Sequence, residues 1–417
     1  MTAPASRPLE LLFTTFSGGG NVPPVLAAAG AMIARGHRVR IMSEACDRAD
    51  IEAAGARFVP WTRAPSRPDR SKATDYLRDW ECQSPIDGFL RLLAEVMTGP
   101  ALAYAKDVRE ELARAPADLV VTSEMLMGVL AGCEAMGQPV VAFGPNICLL
   151  PLAGAPSVGG FAAPLDARIQ LFDAGLPALN AARAELGLKP LGHLTEQMDA
   201  AQALLLATSA AFDFPWEDRP AAIRYVGPLL VDPPGTSWAS PWPAGDPRPL
   251  VLVGFSTTFQ DHVGVLQRTL EGLSRLPVRV LLTTGETIDP AELDAPANAV
   301  VVRQAAHVAA MAEASVVVTH GGHGTLIRAV AAGLPTLVVP HGRDQNDNAQ
   351  RVTARGAGLE LAPSAEAAQI EAAVRRLLEE PAFRAAAQAL GRAVRADADP
   401  ENLVRELEAA ARAPVAA

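Results

Sequence analysis

The stretch at residues 316–325, which reads VVVTHGGHGT, decides the fold of the chain. A run of β-branched residues ends in polar residues and glycines, and the alanine-rich segment that follows favours a helix. The pattern therefore predicts a strand, a loop and a helix in succession. Glycines let the backbone approach an anion closely, and the N–H groups of the first helical turn point at it. Because ligands of open parallel sheets bind at the carboxyl ends of the strands, the pattern places His320 in a phosphate site at such an edge.

A second predicted strand, at residues 336–339, brings two more polar residues to the same edge. It is followed by Asp344 and Gln345, a carboxylate and a carboxamide that together can accept and donate hydrogen bonds to adjacent hydroxyl groups. A phosphate cradle beside a pair that recognises hydroxyl groups is typical of a nucleotide-sugar site. A glycine-rich turn in an ordinary α/β domain is the simpler alternative.

Three motifs follow one another in this part of the chain: HGGHGT at 320–325, GLP at 333–335 and PHGRDQNDNA at 340–349. Their pattern resembles the donor signature of family 1, the UDP-glycosyltransferases, which include bacterial macrolide and natural-product glycosyltransferases. The resemblance extends over most of the chain. It implies an α/β protein of the GT-B architecture, in which two Rossmann-like parallel-sheet domains face each other across a cleft. It also implies metal-independent sugar transfer with inversion at the anomeric carbon, with the acceptor in the first domain and the donor in the second.

The resemblance assigns donor contacts to residues of the second half. His320 corresponds to the histidine on the diphosphate. Asp344 and Gln345 correspond to the pair on the sugar hydroxyls, which favours a glucose-like hexose. The other implied donor contacts are two hydroxyls after an earlier strand, a glutamine that reaches the ribose, and four residues of the first motif: Ser256, Thr257, Gln304, Gly322, His323, Gly324 and Thr325.

Two positions of this region depart from the family pattern. Val301 stands where the family has a tryptophan that stacks on the base, and Arg328 stands where many members have a glutamate that hydrogen-bonds the ribose hydroxyls. A fixed cation in place of an acceptor changes that contact or moves it to phosphate. The sequence therefore leaves open whether the donor is a UDP-hexose or a dTDP-hexose.

The catalytic dyad that the resemblance implies is altered at both positions. Asn21 stands where the family has the histidine that deprotonates the acceptor, and Ser123, followed by Glu124, stands where the family has an aspartate. An amide cannot accept a proton near neutral pH, so Asn21 can orient an acceptor hydroxyl or, alternatively, cap the following helix. Glu124 can serve as the base if burial raises its pKa, and a solvated or ion-paired glutamate is the alternative.

The altered dyad bears on the choice of acceptor. A missing general base costs roughly 10²–10⁴-fold in rate. The cost largely disappears for an acceptor that is already acidic, such as a phenol or an enol, or for a nitrogen nucleophile. We therefore expect transfer to a small hydrophobic, phenolic or otherwise acidic natural product. Trp80, Met125 and Phe143 are the predicted acceptor contacts, and core packing is the alternative for each of them.

Length and composition divide the chain into two domains of ordinary size. We predict an acceptor domain at residues 1–231, a linker at 232–249, a donor domain at 250–395, and a last helix within 396–417 that crosses back to the first domain. The net charge of −10 argues against a nucleic-acid-binding protein, which needs a basic face.

The cysteine spacing and the apolar runs restrict the compartment and the partners that the sequence predicts. The four cysteines lack the spacing of a disulfide framework or a zinc site, which indicates a reducing cytoplasm, and no apolar run is long enough for a transmembrane segment. The histidines and carboxylates also lack metal-ligand spacing. We therefore expect no metal and no resident cofactor, only a nucleotide sugar and a small-molecule acceptor. A homodimer is compatible with the sequence.

Two other functions remain open at this point. The fold and the phosphate site are shared by non-hydrolysing sugar-nucleotide epimerases, although the Asp344–Gln345 signature speaks against that class. With both dyad positions altered, the chain could also be a non-catalytic partner that binds a nucleotide sugar or stabilises another glycosyltransferase.

Overall fold

The computed structural model describes residues 7–156, 163–232, 236–255 and 258–413, which form two sheets flanked by helices. The strands are β1 Glu10–Thr14, β2 Arg38–Ser43, β3 Arg57–Pro60, β4 Leu119–Ser123, β5 Val140–Gly144, β6 Leu204–Leu206, β7 Ile223–Tyr225, β8 Leu250–Gly254, β9 Arg279–Thr283, β10 Ala299–Val302, β11 Ala314–Thr319, β12 Thr336–Val338 and β13 Gly358–Glu360. The helices are α1 Val22–Ala34, α2 Arg48–Ala53, α3 Pro85–Leu92, α4 Ala101–Arg114, α5 Met127–Glu134, α6 Leu165–Asp173, α7 Leu176–Glu185, α8 Val263–Leu273, α9 His307–Glu313, α10 His323–Ala331, α11 Gln345–Thr353, α12 Ala367–Glu379, α13 Pro381–Asp397 and α14 Pro400–Arg412. Among these helices, none combines the length and the apolar composition that crossing a membrane would require.

Both sheets are parallel and follow the same pattern of strand order. The first runs β3-β2-β1-β4-β5-β6-β7 and the second runs β10-β9-β8-β11-β12-β13. Each sheet therefore reverses its order beside its first strand, between β1 and β4 and between β8 and β11, where the strands pair in parallel. Such a switch point opens a crevice at the carboxyl ends of the strands. The topology confirms the predicted fold class of two Rossmann-like sheets.

The deciding stretch forms a central strand of the second sheet. Strand β11 lies between β8 and β12, and Val316, Val317 and Val318 have no exposed surface. A run of β-branched residues without a polar interruption is typical of a parallel strand that helices cover on both faces. Its carboxyl end therefore delivers His320 to the crevice of the second sheet.

The last helix, α14, returns to the first sheet. Its residues Leu403, Val404 and Leu407 are buried in the same apolar cluster as Leu11 and Phe13 of β1. The amphipathic pattern of α14 thus covers a face of the first sheet, although the helix follows the second sheet in the chain. The numbered domain bounds stay a prediction.

A buried ion pair also connects the two halves of the chain. Arg351 of α11 donates from Nε to Asp213 Oδ1 at 2.9 Å, and the Tyr225 hydroxyl donates to Asp213 Oδ2 at 2.7 Å. The exposed fractions of the Arg351 and Asp213 side chains are 0% and 1%. Loss of either partner would leave a charge that is buried and uncompensated. The pair therefore holds α11, whose first residue is Gln345, against a segment that precedes β7.

Candidate active site

A cavity of about 620 Å³ lies between the carboxyl edges of the two sheets. Its wall combines the loops after β1 and β4 with the loops after β11 and β12. Most of the predicted site residues line this one space: Asn21, Trp80, Glu124, Met125, His320, Gly322, His323, Gly324, Thr325, Asp344 and Gln345. The folded chain thus brings predicted acceptor contacts and predicted donor contacts together.

The start of helix α10 forms part of the cavity wall. The helix begins at His323 with Gly322 as its N-cap residue, no side chain bonds to the cap, and the first turn contains no acidic residue. The preceding Gly321 has a φ of +94°, a left-handed conformation that favours glycine. Because the first N–H groups of a helix have no partner within the helix, and the helix dipole is positive there, this end can bind an anion.

His320 lies directly beside the start of α10. Its exposed fraction is 7%. Burial lowers its pKa to about 3, and the nearby His341 and Arg343 add to the effect, while a hydrogen bond to the backbone of Gly254 opposes it. The lowered pKa keeps the ring neutral near neutral pH. A diphosphate next to the ring would favour the protonated form, which can donate from both nitrogens.

Two further histidines and a phenylalanine pack around His320. The ring centroids of His262 and His320 are 5.7 Å apart, those of His262 and His341 are 4.3 Å apart, and Phe255 lies 5.9 Å from His320. Burial lowers the pKa of His262 and of His341 below the ordinary range of histidine. The rings pack against one another, and within the described ranges no three His, Cys, Asp or Glu side chains are arranged to hold a metal ion.

A substitution at Gly322 tests the proposed anion site at the start of α10. A Cβ at Gly322 would lie 2.4 Å from Nε2 of His320, so Gly322→Ala must displace the imidazole ring. We expect the affinity for UDP or dTDP to fall by about tenfold or more, the worth of one hydrogen bond to a charged group. Isothermal calorimetry with both nucleotides measures this. Gly30→Ala is the matched control because a Cβ there meets nothing within 4 Å; equal affinities for the two variants would contradict the role of the ring.

The predicted sugar-binding pair lies beside the start of α10, where the backbone N–H of His323 donates to the Asp344 carboxyl. Gln345 accepts at Oε1 from the backbone N–H of His341 at 2.7 Å, and its Nε2 donates to Gln260 at 3.1 Å. Asp344 accepts at Oδ2 from Asn348 Nδ2 at 2.8 Å. Burial raises the pKa of the Asp344 carboxyl, and the hydrogen bond from Asn348 opposes this. The oxygen and the nitrogen of the Gln345 side-chain amide are both engaged in shaping the loop. The Asp344 carboxylate has acceptor capacity beyond the bonds from Asn348 and from the His323 backbone, so it offers the more available acceptor for a hydroxyl.

Glu124 belongs to the part of the cavity wall that the first half contributes, and it follows β4 directly. Its Oε2 atom is buried and has no hydrogen-bond partner in the described part of the chain. Burial raises the pKa of this carboxyl to about 8, and the negative charge of Asp344 adds to the shift, while its own backbone N–H and the Ser123 hydroxyl act against it. The alternative of a solvated or ion-paired glutamate does not describe this side chain. A carboxyl with a pKa near neutrality beside a cavity can take up a proton during a reaction.

Asn21 precedes helix α1 at the N-cap position, but its side chain makes no capping hydrogen bond. The capping alternative is therefore not realised, and the amide is available to the cavity. The glycine loop before it, residues 17–20, is held by the buried carboxylate of Glu44. The Ser17 N–H donates to Glu44 Oε1 at 2.8 Å, and Arg67 Nε donates to Glu44 Oε2 at 3.0 Å. Because Glu44 follows β2 and is fully engaged, this glycine loop lacks the free acidic residue of a dinucleotide site.

Some predicted contacts lie elsewhere. Phe143 is buried in the core on the α14 side of the first sheet and does not line the cavity. Gln304 does not line it either; its Nε2 donates to Glu286 at 2.9 Å near the surface. His323 lines the cavity, but its ring packs edge-on against Phe212, with centroids 5.6 Å apart. The predicted donor contacts Ser256 and Thr257 lie outside the described residues.

Three polar residues of the cavity wall had no signal in the sequence. Asp79, Gln260 and Arg343 line the space next to Asp344 and Gln345. Arg343 donates from Nε to Asp79 Oδ2 at 2.6 Å although 264 positions separate the two residues. A pattern of motifs along the chain cannot reveal such a pairing, because it depends on how the two halves are placed relative to each other.

Comparison with known proteins gives an independent view of the chain. Residues 267–410 match the family model described as erythromycin biosynthesis protein CIII-like, C-terminal domain. Over 395 residues the chain is 29% identical to 4'-demethylrebeccamycin synthase of Lentzea aerocolonigenes, which covers 90% of this chain and 93% of that protein. The match therefore extends over both halves.

Solved structures agree with the fold. The calicheamicin glycosyltransferase CalG4 superposes with a TM-score of 0.77 at 22% identity, over 98% of this chain and 100% of that chain. The glycosyltransferase VinC in complex with dTDP superposes with a TM-score of 0.74 at 21% identity, over 97% of this chain and 99% of that chain. At these identities the superpositions support the two-sheet architecture.

Proposed function

We propose that this chain, a glycosyltransferase of the GT-B fold similar to those of macrolide and natural-product pathways, transfers a glucose-like hexose from a dTDP- or UDP-sugar to a small hydrophobic acceptor. The transfer is inverting and needs no metal ion or resident cofactor. The second half binds the donor and the first half binds the acceptor. The proposal covers the acidic acceptors, phenols above all, that the altered dyad favours.

One observation carries the proposal. A single cavity is lined by the start of α10 and His320 from the second half and by Glu124 from the first half, and the buried Glu124 Oε2 has no hydrogen-bond partner among the described residues. The start of α10 with His320 suits a diphosphate that leaves, and Glu124 suits a nucleophile that gives up a proton. Transfer requires both functions on opposite sides of one reacting carbon.

The chemistry then takes one displacement step. The acceptor, oriented by Asn21, gives its proton to Glu124 and forms a bond to the anomeric carbon from the face opposite the diphosphate. The bond from that carbon to the diphosphate oxygen breaks, and the diphosphate leaves with the electron pair. Helix α10 and His320 stabilise the charge that develops on the leaving group. Attack from the opposite face inverts the configuration.

Residues of the second half select the sugar and the nucleotide of the donor. Asp344 accepts from sugar hydroxyls, which supports a hexose that keeps its 3- and 4-hydroxyls. The dTDP in the VinC structure supports dTDP as one nucleotide to test, and UDP is the other. Arg328 of α10 lines the cavity, its Nη2 donates to the Val231 carbonyl at 2.7 Å, and burial lowers the pKa of its guanidinium. A half-buried cation there favours contact with a phosphate over contact with ribose hydroxyls.

The test combines donors and acceptors in one panel. Purified protein is incubated with dTDP-glucose or UDP-glucose and a series of phenols, alcohols and amines, with and without EDTA, and products are identified by mass spectrometry. We expect a glycoside, formed equally well with EDTA, and an inverted anomeric configuration by NMR. The rate of donor hydrolysis without acceptor is the control.

The other outcomes of the panel separate the alternatives. Epimerised donor without glycoside would support the epimerase. Tight nucleotide binding with neither product would support the non-catalytic partner. Glycoside with retained configuration, or a glycoside that requires a metal ion, would overturn the mechanism while leaving the reaction in place.

A further inference from the structure

A contact between the two halves lies in the cavity wall beside Asp344. In the short helix Asp79–Glu81 of the first half, Asp79 Oδ2 accepts from Arg343 Nε at 2.6 Å. The next residue, Trp80, packs edge-on against Phe259, with ring centroids 5.0 Å apart. The Asp79–Glu81 helix is thus held against the second half by a charged contact and an aromatic contact.

The loop of the second half is shaped to make this contact. Arg343 has a φ of +55°, which is uncommon for a residue with a side chain and costs free energy. Its Nη1 also donates to Thr258 Oγ1 at 3.2 Å. Asp344 and Gln345 follow directly, so the strained residue that holds Asp79 is next to the pair proposed to bind the sugar.

Asp79 is left with one unsatisfied oxygen. Its Oδ1 is buried and has no hydrogen-bond partner in the described part of the chain, although the residue lines the cavity. An unpaired buried carboxylate oxygen is costly, and a carboxylate can only accept hydrogen bonds. A hydroxyl group brought into the adjoining space would remove that cost after a small rotation of the side chain.

On the basis of the proposed function, we infer that Asp79 is a specificity-determining residue: it accepts a hydrogen bond from a hydroxyl of the donor sugar, opposite the hydroxyl that Asp344 binds. The sugar would thus be held from both halves of the chain. Arg343 acts as a positioning residue, because it fixes one oxygen of Asp79 and leaves the other for the sugar. Donor selection would then depend on the closed arrangement of the two halves.

The experiment compares Asp79→Asn with the wild type on the donor that the wild type uses and on its 3-deoxy, 4-deoxy and 6-deoxy analogues. We expect the donor KM to rise by about tenfold or more, as for loss of a hydrogen bond to a charged group, with the acceptor KM and the affinity for free UDP or dTDP unchanged within about twofold. One analogue lacks the hydroxyl that Asp79 binds, and for that analogue the donor KM of the variant should equal the donor KM of the wild type. Asp79→Ala, with thermal unfolding of both variants, guards against a folding defect.

Glu81→Gln is the matched control, because it removes the same charge from the same short helix. Glu81 pairs with Arg78 at the surface. Equal losses on every analogue, together with weaker nucleotide binding, would make Asp79 a structural contact only and overturn the inference. A change in the acceptor KM alone would also overturn it. If the wild type transfers no sugar at all, the proposed function itself fails; if it transfers and Asp79→Asn keeps the donor preference, only the role of Asp79 fails.

Discussion

Glu124→Gln should lower the rate of transfer to an alcohol acceptor by roughly 10²–10⁴-fold, the usual contribution of a general base. The substitution keeps the size of the side chain and removes its ability to take up a proton. For a phenol that is already ionised at the assay pH the loss should be much smaller, because no base is then needed. The ratio of the two losses, measured as kcat/KM on acceptors of graded acidity, isolates the proton-transfer role from any effect on binding.

The pH profile gives the sign of the same effect. Burial raises the pKa of Glu124 to about 8, and only the ionised form can accept a proton. In the wild type, kcat/KM for an alcohol should therefore rise with pH up to about 8 and level off above it. Glu124→Gln should lack this rise. A rise that persists unchanged in the variant would assign the base to another group.

As the pH rises, the stability of the folded chain should fall while its activity rises. The pKa of Glu124 is higher in the folded chain, about 8, than the value of 4.5 for an unburied glutamate. The folded state therefore binds the proton more tightly, and its stability from this group is complete below about pH 4.5 and is lost as the pH rises to about 8. Glu124→Gln removes this loss. The Tm of the variant minus the Tm of the wild type should therefore increase as the pH rises from 5 to 9. A variant that is less active yet relatively more stable at high pH cannot be explained by misfolding.

The local parts of the site were predictable from the sequence. The residues at 316–325 and 336–345 each join a β-branched strand to polar residues and a helix, and such units fold in the same way wherever the sheet places them. The altered dyad was predictable for the same reason, since Asn21 lies in the loop between β1 and α1 and Glu124 follows β4 directly. What the pattern could not supply was the environment of Glu124, because its pKa depends on burial and on Asp344 from the other half.

The remaining differences arise from tertiary placement. Phe143 was predicted to contact the acceptor because it is aromatic and lies near the end of β5. Strand residues alternate between faces, however, and the face of Phe143 is the one that α14 and its Leu403 cover. Asp79 has no recognisable signal in the sequence because it lies in an irregular segment without periodicity. Its partner, Arg343, is close only after the two halves come together.

His320→Ala should reduce kcat by roughly 10²-fold or more, comparable to the removal of one preorganised donor from a site of developing charge. In the transition state the bond to the diphosphate breaks, and negative charge grows on an oxygen next to the ring. Donation from His320 strengthens as that charge grows, so the loss should fall more on kcat than on the donor KM. Rapid-mixing measurements of a single turnover identify the chemical step, and calorimetry with UDP and dTDP measures the share of the loss that lies in binding.

The control for this substitution must separate charge from packing. The His320 ring fills space beside Phe255 and His262, so alanine also leaves a void there. His320→Asn retains a donor and should recover part of the rate, whereas a purely structural role predicts that both variants are equally impaired and equally destabilised. His193→Ala, at an exposed histidine whose partner is Asp173 on the surface, should leave turnover unchanged. Near-normal turnover of His320→Ala would mean that the start of α10 stabilises the leaving diphosphate without the imidazole.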